Sequence, residues 1–82
     1  MPRFYFDVSE GDSFSCDDEG HQLESVNAAE YEAIRAAAEI GRYRLPKRLS
    51  PELCVRVRDA HGQPVLTVAV SMMVRRMDMP HA

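Results

Sequence analysis

Four segments of this chain alternate apolar and polar residues with the two-residue period of a β-strand, and they flank one segment with the 3.6-residue period of a helix. The alternating segments are residues 3–8, 13–16, 53–58 and 64–71. Gly-containing turns join the first two segments and the last two, which predicts two β-hairpins. Because successive side chains of a strand point to opposite faces, one apolar set is expected to face a core. This set is Phe4, Phe6, Val8, Leu53, Val55, Val57, Leu66, Val68 and Val70.

The helical segment follows Ser25 or Asn27, either of which is a suitable N-cap residue. Its apolar stripe consists mostly of alanine, so we expect the helix to pack closely on the sheet. Gly41 and Pro46 bracket the expected end of the helix. The stripe is formed by Val26, Ala29, Ala33, Ala37 and Ile40.

This order of elements, β-β-α-β-β, predicts an α+β fold of two layers, with one helix packed on one face of a mostly antiparallel sheet. We assign residues 1–71 to a single domain. Residues 72–82 form a Met-rich C-terminal tail that either extends the last strand or is disordered. A hydrophobic share of 45% over 82 residues is enough for one modest core.

The chain carries no signal for a membrane. No apolar run approaches the ~20 residues that span a bilayer, and the N-terminal residues lack the long apolar region of a signal peptide. With two cysteines and no secretion signal, we expect a cytoplasmic protein with reduced thiols.

The net charge of −3 conceals an uneven distribution. Residues 1–41 carry ten acidic and two basic residues, whereas residues 42–82 carry eight basic and three acidic residues. The two halves can neutralise each other within the fold, drive head-to-tail association, or leave a basic surface for an anionic partner.

The segment Cys16-Asp17-Asp18-Glu19-Gly20-His21 contains several types of metal ligand in a row. Consecutive carboxylates of an extended segment point to alternate sides, and neither an EF-hand pattern nor a second Cys/His pair is present. We therefore interpret the segment as a turn that leads into the helix, and we predict no metal site.

No catalytic motif is present in the sequence. A nucleophile elbow, a Gly-rich phosphate loop and an H-E-x-x-H metal motif are all absent. One helix over one sheet also offers little concavity for a substrate. We predict that the chain is not an enzyme, with no catalytic residues, no cofactor and no small-molecule substrate.

Two surfaces are candidates for binding. The sheet face opposite the helix mixes aromatic, basic and apolar side chains, which is typical of neither a core nor an ordinary solvent face. We predict a partner surface there, formed by Tyr5, Arg56, Arg58, Val65 and Thr67. A second, anion-binding surface is predicted near the end of the helix, formed by Arg42, Arg44, Lys47 and Arg48.

The sequence contains an opening M-P-R-F-Y-F, a D-D-E-G turn, an Ala-rich helix and a closing V-R-V-R-D-A-H-G-Q-P-V-L-T-V-A-V. Together these features resemble a family of small bacterial proteins, common in alphaproteobacteria, that is classed as a domain of unknown function. The resemblance covers residues 1–71 and implies a fold and a bacterial cytosolic setting, without an activity. The layout is also similar to that of small antitoxin domains, although their D-T-x-E-E-A element is absent.

These observations predict a non-enzymatic interaction module that presents a sheet edge or its open sheet face to a partner, either a second copy in a homodimer or another protein. The alternative is a nucleic-acid-associated or antitoxin-like regulator that uses the basic second half. The presence of only one well-placed aromatic residue, Tyr5, and a net negative charge make a nucleic-acid partner the less favoured of the two.

Overall fold

The computed structural model describes residues 1–47 and 52–78. The strands are β1 (Arg3–Glu10), β2 (Ser13–Ser15), β3 (His21–Gln22), β4 (Glu52–Asp59) and β5 (Pro64–Ser71). Helix α1 (Val26–Arg44) continues into a short 3-10 helix at Leu45–Lys47. These elements confirm the predicted α+β fold, in which one helix packs on an antiparallel sheet.

The strands form one five-stranded sheet in which the order is β2-β1-β4-β5 and β3 also pairs with β1. Every pairing is antiparallel. Strand β3 was not predicted, because a strand of two residues is too short to show an alternating pattern. Since β4 occupies the opposite edge of β1, β2 and β3 share its other edge: β2 pairs with Val8 to Glu10 and β3 with Arg3 and Phe4.

Helix α1 begins after Ser25, whose Oγ accepts a hydrogen bond from the Ala28 N–H at 3.1 Å. This selects Ser25 from the two predicted N-cap residues. The helix ends at Arg44, between Gly41 and Pro46 as predicted, and Gly41 is buried inside its last turns. The buried residues of α1 are Ala29, Ala33, Ala37 and Gly41. Val26 was wrongly included in the buried stripe, because it lies in the first turn, where it is 49% exposed.

The core lies between α1 and the sheet, with the helix packed chiefly on β4 and β5. Alternate residues of β4 are fully buried, as their spacing predicted. The buried core consists of Phe4, Ala29, Ala33, Ala37, Leu45, Leu53, Val55 and Val57. Other predicted core residues are partly buried at its margin, namely Phe6, Val8, Ile40, Leu66, Val68 and Val70.

Strand β5 ends at Ser71, and Met72 to Asp78 belong to no helix or strand. Within the described tail, four apolar side chains are exposed: Met72, Met73, Val74 and Met77. The rest of the predicted tail, residues 79–82, lies outside the described residues. No helix among the described residues is long and apolar enough to cross a membrane.

Candidate functional site

The acidic turn is fixed to β1 by the carboxylate of Asp17. One oxygen of Asp17 accepts hydrogen bonds from the N–H groups of Glu19 and Gly20, both at 3.1 Å. The other oxygen accepts a hydrogen bond from the N–H of Phe6 at 3.0 Å. Phe6 lies between the part of β1 that pairs with β2 and the part that pairs with β3. The Asp17 side chain therefore replaces a partner strand in the gap between β2 and β3.

Asp7 and Arg58 form an ion pair on the open face of the sheet. Arg58 Nε donates to Asp7 Oδ2 at 2.8 Å, and Arg58 Nη2 lies 3.3 Å from Asp7 Oδ1. The Asp7 side chain is 6% exposed and that of Arg58 is 26% exposed, so the pair is largely shielded from water. The guanidinium carbon also lies 4.7 Å from the centre of the Tyr5 ring, which is a cation–π geometry.

The ion pair and the acidic turn belong to one network. The Asp17 N–H donates to Asp7 Oδ1 at 2.9 Å, and Arg58 Nη2 donates to the Asp17 carbonyl at 2.9 Å. Arg58 Nη2 also lies 3.4 Å from the Sγ of Cys16. The network thus joins residues that are as many as 51 positions apart in the chain.

The hydrogen bonds of the network keep its carboxylates ionised. The Arg58 guanidinium lowers the pKa of Asp7 below the usual 3.8, outweighing the opposing effect of burial. Burial raises the pKa of Asp17, but the backbone N–H groups that it accepts from outweigh burial and lower this pKa as well. The hydrogen bond to Asp7 raises the pKa of Arg58. At neutral pH Asp7, Asp17 and Arg58 are charged and are held by hydrogen bonds to one another and to the backbone, an arrangement suited to holding the turn in place.

The structure gives no support to a metal site in the acidic turn. Both carboxylate oxygens of Asp17 accept backbone N–H groups, and both oxygens of Asp7 have donors. Within residues 1–47 and 52–78, no group of three or more His, Cys, Asp or Glu is placed to hold a metal ion.

Four residues of the predicted partner surface are found on the open face of the sheet. Tyr5 pairs in register with Arg58, and Arg56 pairs in register with Thr67. Arg56 and Thr67 are exposed, whereas Arg58 is occupied by the network. Val65 packs against the core cluster. The register between β4 and β5 explains why Val65 does not lie on the open face. Leu66 pairs with Val57 and Pro64 pairs with Arg58, so Val65 is an extra residue that interrupts the alternation of side chains.

The predicted anion surface is partly neutralised by carboxylates. Arg42 Nη2 lies 3.3 Å from Glu39, and Arg44 Nε donates to Glu10 at 2.8 Å. Lys47 is exposed in the 3-10 helix. Arg48 lies outside the described residues, so its part in this surface remains a prediction.

The structure reveals a groove beside Glu10 that the sequence reasoning did not identify. Glu10 is in phase with the core-facing Phe4, Phe6 and Val8, so a charged residue at a core-facing position was the available signal. The groove has a volume of about 260 Å³ and is lined by Val8, Glu10, Ser13, Phe14, Ser15, Ile40, Arg44 and Leu53.

The free edge of β5 is a further candidate surface. Strand β5 is the last in the sheet order and, among the described residues, pairs only with β4. From Pro64 to Val74 the sequence P-V-L-T-V-A-V-S-M-M-V contains no charged residue. Met72, Met73 and Val74, which follow the strand, are 46%, 81% and 57% exposed.

Comparison with known proteins places the chain in a family. No curated protein and no solved structure matches it. A family model described as a domain of unknown function, DUF6894, matches residues 3–71, which is the region from the start of β1 to the end of β5. The chain therefore belongs to the DUF6894 family.

Proposed function

We propose that this chain is a non-enzymatic interaction module that binds a second copy of itself through the free edge of β5. The observation that carries the proposal is the uncharged edge strand, Pro64–Ser71, followed directly by exposed apolar residues. An edge strand presents a row of unpaired backbone N–H and C=O groups that can pair with another strand. Folded proteins usually protect such an edge with charged residues, and β5 has none.

Side-chain direction supports extension of the interface into the tail. Leu66, Val68 and Val70 pack against the margin of the core and are only partly buried. If the strand continues beyond Ser71, Met72 and Val74 share their phase, because alternate side chains lie on one face. Two antiparallel copies of this segment would then form one apolar stripe across a two-fold axis, burying residues that are exposed in the single chain.

The edge is a better interface than the open face. A face-to-face contact would bury Arg56, which is exposed and projects from the centre of the sheet. Taking a guanidinium out of water is costly unless it gains a partner, whereas edge pairing leaves Arg56 in solvent. Arg58 cannot provide a new ion pair either, because Asp7 already occupies it.

Light scattering coupled to size exclusion, at micromolar concentration, tests the proposal. We expect a mass twice the 9.3 kDa of one chain. The double variant Met72→Lys/Val74→Lys should be monomeric, because each lysine would carry its charge into the apolar stripe that strand pairing buries. Met77→Lys is a control for adding a lysine to the tail: Met77 is 84% exposed and lies beyond the uncharged run, so this variant should remain dimeric. A strictly monomeric wild-type chain would refute the proposal.

A second substitution separates the two modes of association. Thr67 is exposed on the open face, so Thr67→Arg should disrupt a face-stacked dimer and leave an edge-paired dimer intact. If the Thr67→Arg variant is monomeric and keeps a native circular dichroism spectrum, that result would contradict edge pairing and favour association through the open face.

The alternative function, a nucleic-acid-associated or antitoxin-like regulator, has less support from the geometry. Arg42, Arg44 and Arg58 each pair with a carboxylate, which reduces the positive charge available for phosphate groups. Retention on immobilised DNA or RNA that falls steeply with salt concentration would reverse this preference.

A further inference from the structure

Glu10 has a buried carboxylate oxygen that lacks a hydrogen-bond donor. Its side chain is only 8% exposed. Oε1 accepts a hydrogen bond from Arg44 Nε at 2.8 Å, whereas no donor among the described residues reaches the buried Oε2. Buried polar atoms are nearly always hydrogen-bonded, so an unpaired carboxylate oxygen at this depth indicates a position for an external donor.

Two hydroxyl groups lie on the same side of the sheet as this oxygen. Ser13 pairs in register with Glu10, and Ser15 pairs in register with Val8. Residues directly opposite each other in an antiparallel pair share a face, so both serines flank the side of β1 that carries Glu10. Both line the groove of about 260 Å³ beside Glu10, together with the apolar Val8, Ile40 and Leu53.

We propose that this groove binds a primary alkylammonium group. An ammonium carries three N–H donors, which matches one carboxylate oxygen and two serine hydroxyls. The apolar lining suits the methylene stem that such a group carries. A guanidinium fits less well, because its fork prefers both oxygens of a carboxylate and Arg44 already holds one of them. The groove lies at the β1–β2 edge, away from β5, so the inference is independent of the proposed dimer.

The ammonium group has two sources with the same chemistry: a lysine side chain of a protein partner, or a free aliphatic amine. Nuclear magnetic resonance titration of the 15N-labelled full chain tests both. The probes are n-butylamine, an acetyl-lysine-methylamide with a free side-chain amine, and n-butanol, which has the same stem without the charge. We expect saturable shifts of the backbone amides of Glu10, Ser13 and Ser15 with both amines and none with butanol.

The matched variants are Glu10→Gln and Glu39→Gln, which remove the same charge. Glu39 is exposed and does not line the groove, so Glu39→Gln should bind n-butylamine as wild type does. Glu10→Gln should weaken binding at least tenfold while keeping a native spectrum. Tighter binding of the lysine derivative than of butylamine would identify a protein partner, and equal binding would identify a free amine. Absence of saturation with both amines, or equal binding by Glu10→Gln and wild type, would overturn the proposal.

Discussion

Replacing Gly20 by alanine should destabilise the fold more than the same replacement at Gly62. Both glycines have a positive φ, +71° and +81° respectively, which L-residues adopt only at a cost. Either substitution should therefore lose about 1–2 kcal/mol from the backbone conformation alone. The surroundings of the added methyl group then distinguish the two sites.

At Gly20 the added Cβ would collide with β1. It would lie 2.8 Å from the Phe4 carbonyl oxygen and 3.0 Å from side-chain atoms of Arg3 and Tyr5. The carbonyl belongs to a paired strand and cannot move freely, so the clash should cost about 1–3 kcal/mol more. At Gly62 no atom of the described residues, apart from the glycine and its two chain neighbours, would lie within 4 Å of the added Cβ. Gly62→Ala is thus a control that carries the backbone cost without the clash.

Thermal unfolding followed by circular dichroism measures the difference. For a domain of this size about 1 kcal/mol corresponds to about 4–8 °C in Tm. Gly62→Ala should therefore lower the Tm by about 4–16 °C, and Gly20→Ala by at least about 4 °C more. Equal losses for the two variants would show that the acidic turn does not lie against β1 as described, and would remove the basis for the Asp17 network.

Three further predictions concern the network and the core. Because the folded-state pKa values of Asp7 and Asp17 are lowered from 3.8, their contribution to stability is complete above about pH 4 and is lost as the pH falls through the folded values. Between pH 5 and pH 2 the free energy of unfolding, measured with urea, should fall less for Asp7→Asn than for wild type. The same dependence of this free energy on pH in both proteins would contradict the pKa argument. Ala37 is fully buried and Ala38 is exposed, so Ala37→Leu should cost about 1–3 kcal/mol by overpacking whereas Ala38→Leu should stay within about 0.5 kcal/mol of wild type. Calorimetric titration with Ca²⁺ or Zn²⁺ should give no saturable heat, since N–H groups occupy both oxygens of Asp17; tight binding that Asp17→Ala abolishes would refute this.

The sequence by itself determined the helix, four of the five strands and most of their buried positions. The two-residue alternation identified four strands and the buried positions of β4, and the alanine stripe identified the helix face that packs on them. These features can be predicted from the sequence because each depends on the spacing of apolar residues within one segment. Burial of apolar surface stabilises a segment with that spacing wherever it lies in the chain. The turn character of Asp17 to Gly20 followed in the same way from local residue preferences.

Only the tertiary structure decided which polar groups meet. Asp7 and Arg58 are 51 residues apart, and Glu10 and Arg44 are 34 apart. These contacts depend on how the strands and the helix are placed relative to one another. The pairing of β3 with β1 depends on strand register, and so does the position of Val65 at the irregularity opposite Val57 and Arg58. The hydrogen bond from the Phe6 N–H to the Asp17 carboxylate likewise depends on the gap that β2 and β3 leave along one edge of β1. Hydrogen bonds of this kind are short and directional, so a shift of a single residue in register would remove them without changing the alternating pattern within each strand.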